Sequence, residues 1–219
     1  MRSVARHGLD ITRAIFMQGR APYRFMEPLR MSLFLSANEA DVREAISLGF
    51  AAGHVVGRAV ADDGDADLRI AFDFDGVLAD DSAERVYQSE GLDGYQENES
   101  ALAEVPLSRG PMADFLEKIN RIQRIEESNS AGDPRGYRRR VHVAVVTARS
   151  APAHERAINS IRGWGLRVND AFFLGGLPKG PMLEVLQPHI FFDDQRRHVD
   201  GASSSTPSVH IPFGELNGQ

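Results

Sequence analysis

The chain of 219 residues contains no cysteine. That excludes a disulfide framework, a thiol nucleophile and a cysteine metal site, and a reducing compartment is the simplest reading. Long hydrophobic runs are also missing; none approaches the roughly 20 apolar residues that a membrane span requires. An excess of positive charge is lacking too. The formal charge is −6, which argues against a general nucleic-acid or membrane-surface binder. The opening stretch MRSVARHGLDITRAIF carries basic residues but no uninterrupted apolar core of signal-peptide type. What is present is a 42% hydrophobic composition, enough for one large domain or one domain with a smaller appendage. The expectation is a cytoplasmic protein with neither a membrane nor a nucleic-acid partner.

Short apolar runs bounded by turn or polar residues predict strands at 32–35, 53–57, 68–74, 141–147, 171–175, 189–193 and 208–212. The later runs are continuous rather than alternating, as in strands buried on both faces of a parallel sheet. Between them lie helical patterns. Residues 153–165 place Ala157, Ile158, Ile161 and Trp164 on one face, and residues 111–125 do the same with Met112, Phe115, Leu116, Ile119 and Ile122. Strands alternating with helices imply a doubly wound, mostly parallel α/β fold. The acidic stretch 58–67 reads as a linker, and 127–140, with its arginine run, as an irregular solvated connection.

The chain also matches itself. At a constant offset of 157, residues 3–42 align with 160–199 without a gap, and ten of these 40 positions are identical, among them Gly8, Leu9, Phe16, Gly19, Phe34 and Val42. A shift of one residue pairs His54-Val55-Val56 with His210-Ile211-Pro212. Residues 1–57 therefore read as a degenerate half-repeat of the same fold. It has lost the charges of its counterpart: Ser36 and Ala37 stand where the other copy has Asp193 and Asp194, and Pro22 stands for Lys179. The matching first half would lie upstream of Met1. Either the chain is shorter than its relatives, or the half-domain packs its strands against the main sheet or against another subunit of a homo-oligomer.

Four features carry chemistry. IAFDFDG (70–76) ends an apolar run with Asp73 and Asp75, whose side chains share a face if extended. VAVVTA (143–148) ends another with Thr147. Lys179 sits in a glycine-rich loop that opens a helix, and IFFDDQ (190–195) ends a further run with Asp193 and Asp194. Ligands of open α/β sheets bind at the carboxyl ends of strands. Several carboxylates at one point require a cation, and hard oxygen donors select Mg²⁺. One carboxylate can attack phosphorus, a second can pass the proton, Thr147 and backbone N–H groups such as that of Ala148 can hold phosphate oxygens, and Lys179 can neutralise charge. Asp193 and Asp194 point to opposite sides if extended. One should face the metal and the other should orient Lys179 or a metal-bound water.

In this order the motifs resemble those of the haloacid dehalogenase superfamily of phosphatases. A response-regulator receiver also clusters Asp, Thr and Lys, but in a different order. More narrowly, residues 8–36, 68–87 and 145–195 look like the cytosolic 5′-nucleotidase type I family and its bacterial relatives. The resemblance implies Asp73 as nucleophile, Asp75 as general acid/base, Thr147 and Ala148 with Lys179 at the phosphate, and Mg²⁺ held by Asp73, the carbonyl of Asp75, and Asp194 or Asp193. It implies a catalytic domain over 68–213 acting on AMP-like nucleoside 5′-monophosphates. The excess length between Asp75 and Thr147 predicts a small helical cap at about 78–110. Tyr87 and Tyr95 in it suit either base stacking or anchoring, with anchoring preferred, and Trp164 reads as packing. The alternatives are a phosphatase of another small phosphomonoester, such as a sugar phosphate, and a nucleotide-binding module without turnover.

Overall fold

The computed structural model describes residues 2–57, 64–132, 136 and 138–218. It divides into two compact units, Met1–Met31 and Ser32–Gln219. The first contains a short helix α1 (Arg2–Arg6) and a 3-10 turn at Tyr23–Phe25. Its residues 9–16, aligned by the internal repeat with 166–173, form no regular element.

The second unit is built on seven strands: β1 (Phe34–Ser36), β2 (Ala52–Val56), β3 (Leu68–Phe72), β4 (Val141–Thr147), β5 (Asp170–Phe173), β6 (Ile190–Asp193) and β7 (Ser208–His210). They form one sheet in the order β1-β2-β7-β6-β3-β4-β5. Every neighbouring pair is parallel except β2 and β7. Each predicted strand is found, and most end earlier than the apolar run does. Phe74 shows why. It is fully buried, yet it has left β3 and stacks on Trp164, with ring centroids 6.0 Å apart. A hydrophobic run marks burial, and burial continues past the last ladder hydrogen bond.

Helices cover both faces. Successive residues of β3 point to opposite sides. Phe72 stacks on Phe192 at 5.0 Å and meets Phe115 of α4 (Ala113–Gly132) edge-on. Ala71 packs with Phe191, Val146, Leu183 of α6 (Gly180–Leu186) and Ala202 of α7 (Arg196–Ala202). Each buried Phe or Leu contributes about 2 kcal/mol relative to exposure. The remaining helices are α2 (Glu39–Ser47), α3 (Ser82–Ala101) and α5 (His154–Gly163). The composition of 39–47 had not marked α2; Asn38 caps it by accepting from the Ala40 N–H at 3.1 Å.

The connection expected to be irregular over 127–140 begins as helix, since α4 runs to Gly132. Its buried stripe continues with polar residues. Gln123 donates to the Val141 carbonyl, and the Glu126 carboxylate accepts from the N–H groups of Arg140 and Val141. A pattern read from apolar residues alone stops too soon there. Of that connection, residues 133–135 and 137 lie outside the described residues, as do 58–63 of the expected linker.

Two β-α-β units face each other in the sheet. In the first, β1 and β2 flank α2, and Phe34 pairs with Ala52 and Ser36 with His54. In the second, β6 and β7 flank α7, and Phe191 pairs with Ser208 and Asp193 with His210. The registers coincide under the sequence alignment of 34–36 with 191–193 and of His54 with His210. The units join through the antiparallel β2–β7 seam, where His54 pairs with His210. A local two-fold axis therefore passes between these two histidines.

Between Asp75 and α4 the chain makes an excursion with a closed neck. Ala79 and Arg109 form an isolated antiparallel bridge, the Gly110 N–H donates to the Leu78 carbonyl at 2.7 Å, and the Asp80 N–H donates to the Ser108 carbonyl at 3.0 Å. The excursion holds α3, which is kinked at Gly91 (φ 72°). Gly110 is required at the neck, because a Cβ there would lie 2.3 Å from the Ala79 carbonyl oxygen and 2.7 Å from that of Val77. Gly110→Ala should therefore destabilise the protein by about 1–3 kcal/mol, read as a lower urea midpoint. An unchanged midpoint would mean the neck is not closed as described.

Candidate active site

The carboxyl ends of β3, β4 and β6 converge with the start of α6. Lys179, the residue before α6, is buried and extends between two strand ends. Its ammonium lies 2.5 Å from Asp73 Oδ2 and 2.7 Å from Asp193 Oδ2. Asp73 Oδ1 accepts from the Phe74 N–H at 2.7 Å. Burial raises the Asp73 carboxyl to about 7, against the pull of Lys179. The flanking carboxylates hold the lysine well above its usual range despite burial, so it stays charged. The Asp193 carboxyl is held below its ordinary value: burial raises it, but Lys179 and His198 outweigh that.

The adjacent aspartates divide their roles. Asp193 is committed to protein partners: Lys179, the Gln195 N–H at 2.8 Å, and His198 Nδ1 at 3.2 Å. Asp194 turns the other way. Its side chain packs against Gly76, where a Cβ would come within 2.5 Å of Oδ2, and its buried Oδ1 has no hydrogen-bond partner among the described residues. Burial raises its carboxyl well above the ordinary value, and the neighbouring Asp73 and Asp193 add to this. The first β-α-β unit supplies a control. Ser36 Oγ accepts from the Asn38 N–H at 3.0 Å, the same turn hydrogen bond that Asp193 Oδ1 makes with Gln195. A hydroxyl suffices for the turn, so the charge at Asp193 serves Lys179.

Asp75 is gripped on both oxygens by Arg149, which donates from Nε to Oδ2 at 2.8 Å and from Nη2 to Oδ1 at 2.7 Å. Arg149 also donates to Glu99 of α3, a fully buried carboxylate that takes Arg156 on its other oxygen at 2.7 Å. Thr147 is buried at the end of β4, its Oγ1 accepting from the Arg149 N–H at 3.3 Å, and the following Ala148 is exposed. Tyr95 lies 5.8 Å from the Arg149 guanidinium carbon and meets Tyr87 edge-on. Trp164 packs as expected, and its Nε1 donates to the Leu107 carbonyl. The sequence patterns do not single out Arg149, Glu99 or His198. Arg149 follows Thr147 by two residues and so was detectable; Glu99 sits in a polar helix with nothing to distinguish it.

The donor set fits a hard divalent cation. Asp73, Asp193 and His198 can bring three ligand atoms together, but the Lys179 ammonium already bridges Asp73 and Asp193. The unpartnered oxygen is on Asp194. Buried carboxylates without donors call for positive charge, and Asp194 with Asp73 offers oxygen ligands of the type that Mg²⁺ takes.

Fold and site together define an α/β protein with a lysine-bridged aspartate centre at the carboxyl edge of its sheet. The chain belongs to the 5′-nucleotidase family, whose sequence model matches residues 1–218. It is 34% identical over 212 residues to human cytosolic 5′-nucleotidase 1B, covering 92% of this chain and 33% of that protein. The chain thus spans about a third of the length of that relative. No solved structure matches the chain.

The raised carboxyls give a sign for the effect of pH. The unfolded chain loses the Asp73 proton near its ordinary value, the folded chain only near 7, so this contribution to stability is full at low pH and lost as pH rises through 7. A cation bound beside Asp73 and Asp194 would take the place of the missing proton. Millimolar Mg²⁺ should raise Tm more near pH 7.5 than near pH 5, measured by differential scanning fluorimetry. An equal or larger rise at the lower pH would contradict the site.

Proposed function

We propose that this chain carries the catalytic centre of a Mg²⁺-dependent 5′-nucleotidase of haloacid dehalogenase type, hydrolysing AMP-like nucleoside 5′-monophosphates to nucleoside and phosphate. The observation that carries the reading is the buried chain Asp73–Lys179–Asp193 beside the unpartnered oxygen of Asp194, in a member of the 5′-nucleotidase family. The name of the human relative supports a nucleotide substrate and a cytosolic setting. Among the described residues no helix is long and apolar enough to cross a membrane.

Asp73 attacks phosphorus in line, forming an aspartyl-phosphate as the bond to the 5′-oxygen breaks. Asp75 gives its proton to the departing alkoxide, then takes one from the water that attacks the aspartyl-phosphate, and inorganic phosphate leaves. Lys179, fixed by Asp193, balances the charge on the phosphoryl oxygens, and Thr147 with the Ala148 N–H holds them. Asp73, Asp194 and the Asp75 carbonyl are the ligands assigned to the metal. When bound, Mg²⁺ supplies Lewis-acid neutralisation of the phosphoryl group.

The proposed organisation follows the same reading. Residues 1–57 form a degenerate half-repeat, 58–67 a linker and 68–213 the catalytic domain, with 78–110 as a cap that excludes water over the substrate. The neck at Ala79 and Arg109 and the kink at Gly91 support the cap assignment.

Asp73→Asn should lower phosphate release from AMP by roughly 10³-fold or more while leaving the unfolding curve cooperative. AMP, IMP and an aryl phosphate, each with and without Mg²⁺, provide the assay. Release from none of them would favour a binding module, and release from the aryl phosphate alone another ester as substrate. A fully active Asp73→Asn protein would sink the mechanism.

A further inference from the structure

Arg149 is almost wholly buried, and each of its three guanidinium nitrogens donates a hydrogen bond. In the plane, Nε and Nη2 hold the two oxygens of Asp75, and Nη1 donates to Glu99 Oε2 at 2.5 Å and to the Ala153 carbonyl at 2.9 Å. Aromatic rings also approach it: Phe74 lies 5.0 Å and Tyr95 5.8 Å from its central carbon. Phe74 belongs to the loop that carries Asp73 and Asp75. Tyr95 and Glu99 belong to α3, one helical turn apart on one face. Glu99 is itself immobilised by Arg156, whose Nε donates to the Val105 carbonyl at 2.9 Å. One side chain thus ties a carboxylate of the reactive loop to the excursion between residues 79 and 109.

We infer that Arg149 is a positioning residue through which α3, by way of Glu99, sets the orientation of the Asp75 carboxylate. The inference rests on the reading of Asp75 as the proton-transferring group of a phosphatase. A fork that occupies one lone pair on each oxygen leaves the second lone pairs open. It therefore fixes the plane of the carboxylate and the direction in which its open lone pairs face. A bidentate arginine achieves this and a lysine cannot, because an ammonium is a single point of charge. The excursion thereby acquires a part in the chemistry that does not depend on touching the substrate.

The test combines kinetics with unfolding. Arg149→Lys keeps the charge and removes the fork; kcat for AMP should fall roughly 10- to 100-fold with KM changed less than about threefold. Glu99→Gln should move kcat in the same direction by less. On the residual activity of Asp75→Asn, adding Arg149→Lys should cost nothing further, since Arg149 acts through Asp75. An unchanged kcat in Arg149→Lys, or the full loss repeated in the Asp75→Asn background, would overturn the inference.

A second readout needs no turnover. Asp75 and Glu99 are both acceptors with no hydrogen bond to each other, but they share Arg149. The urea midpoints of Asp75→Asn, Glu99→Gln and the double variant should therefore be non-additive, and strict additivity would count against the inference. If the wild-type chain releases phosphate from no ester, the functional reading fails, while the unfolding cycle still decides whether Arg149 couples α3 to Asp75.

Discussion

An ammonium buried between two carboxylates is the interaction on which the rest of the site depends. Lys179 reaches Asp73 and Asp193 from a different element than either, so three segments of chain must arrive together for its charge to be tolerated. Removing water from such a group is costly, and only close opposite charge compensates it. The arrangement leaves a surplus of carboxyl groups, because Asp194 stands beside the pair with an oxygen that nothing in the described residues satisfies. Stability and reactivity are set against each other at this point. The protein keeps carboxyl groups that its own cations do not pair, and that surplus is what a cation could occupy.

The strands were legible in the sequence because parallel strands buried on both faces are written as plain apolar runs, and the loops between them are short and polar. The candidate site residues were legible for a related reason: a polar residue that ends an apolar run has nowhere to go but the carboxyl edge of the sheet. Asp73, Thr147 and Asp193 all announce themselves in this way. Lys179 does not end a strand and was identified only in company with the others.

What escaped notice is polar and buried away from strand ends. Gln123 and Glu126 extend the buried face of α4 beyond its last buried apolar residue, Ile119, by pairing with the start of β4. Glu99 lies in a helix of mostly polar composition, and only the arrival of Arg149 and Arg156 from distant positions explains its burial. Hydrophobic periodicity cannot register such residues, since their partners are not local. The division of labour between Asp193 and Asp194 was likewise beyond the sequence. The alternation of an extended chain predicted that they diverge, but the choice of which one faces Lys179 is made by the packing of Asp194 against Gly76.

The local two-fold axis between His54 and His210 imposes a condition of its own. Equivalent residues near such an axis meet their own counterparts, as they would in a homodimer. Glu39 and Arg196 occupy equivalent positions at the starts of α2 and α7, and they lie 3.8 Å apart. Two identical units would bring like charges together there, two glutamates or two arginines. With both units on one chain the positions are free to differ, and here the contact is attractive. The same independence allows Ser36 in one unit where the other carries Asp193, so neither the contact at the axis nor the charge beside Lys179 has to be duplicated across it.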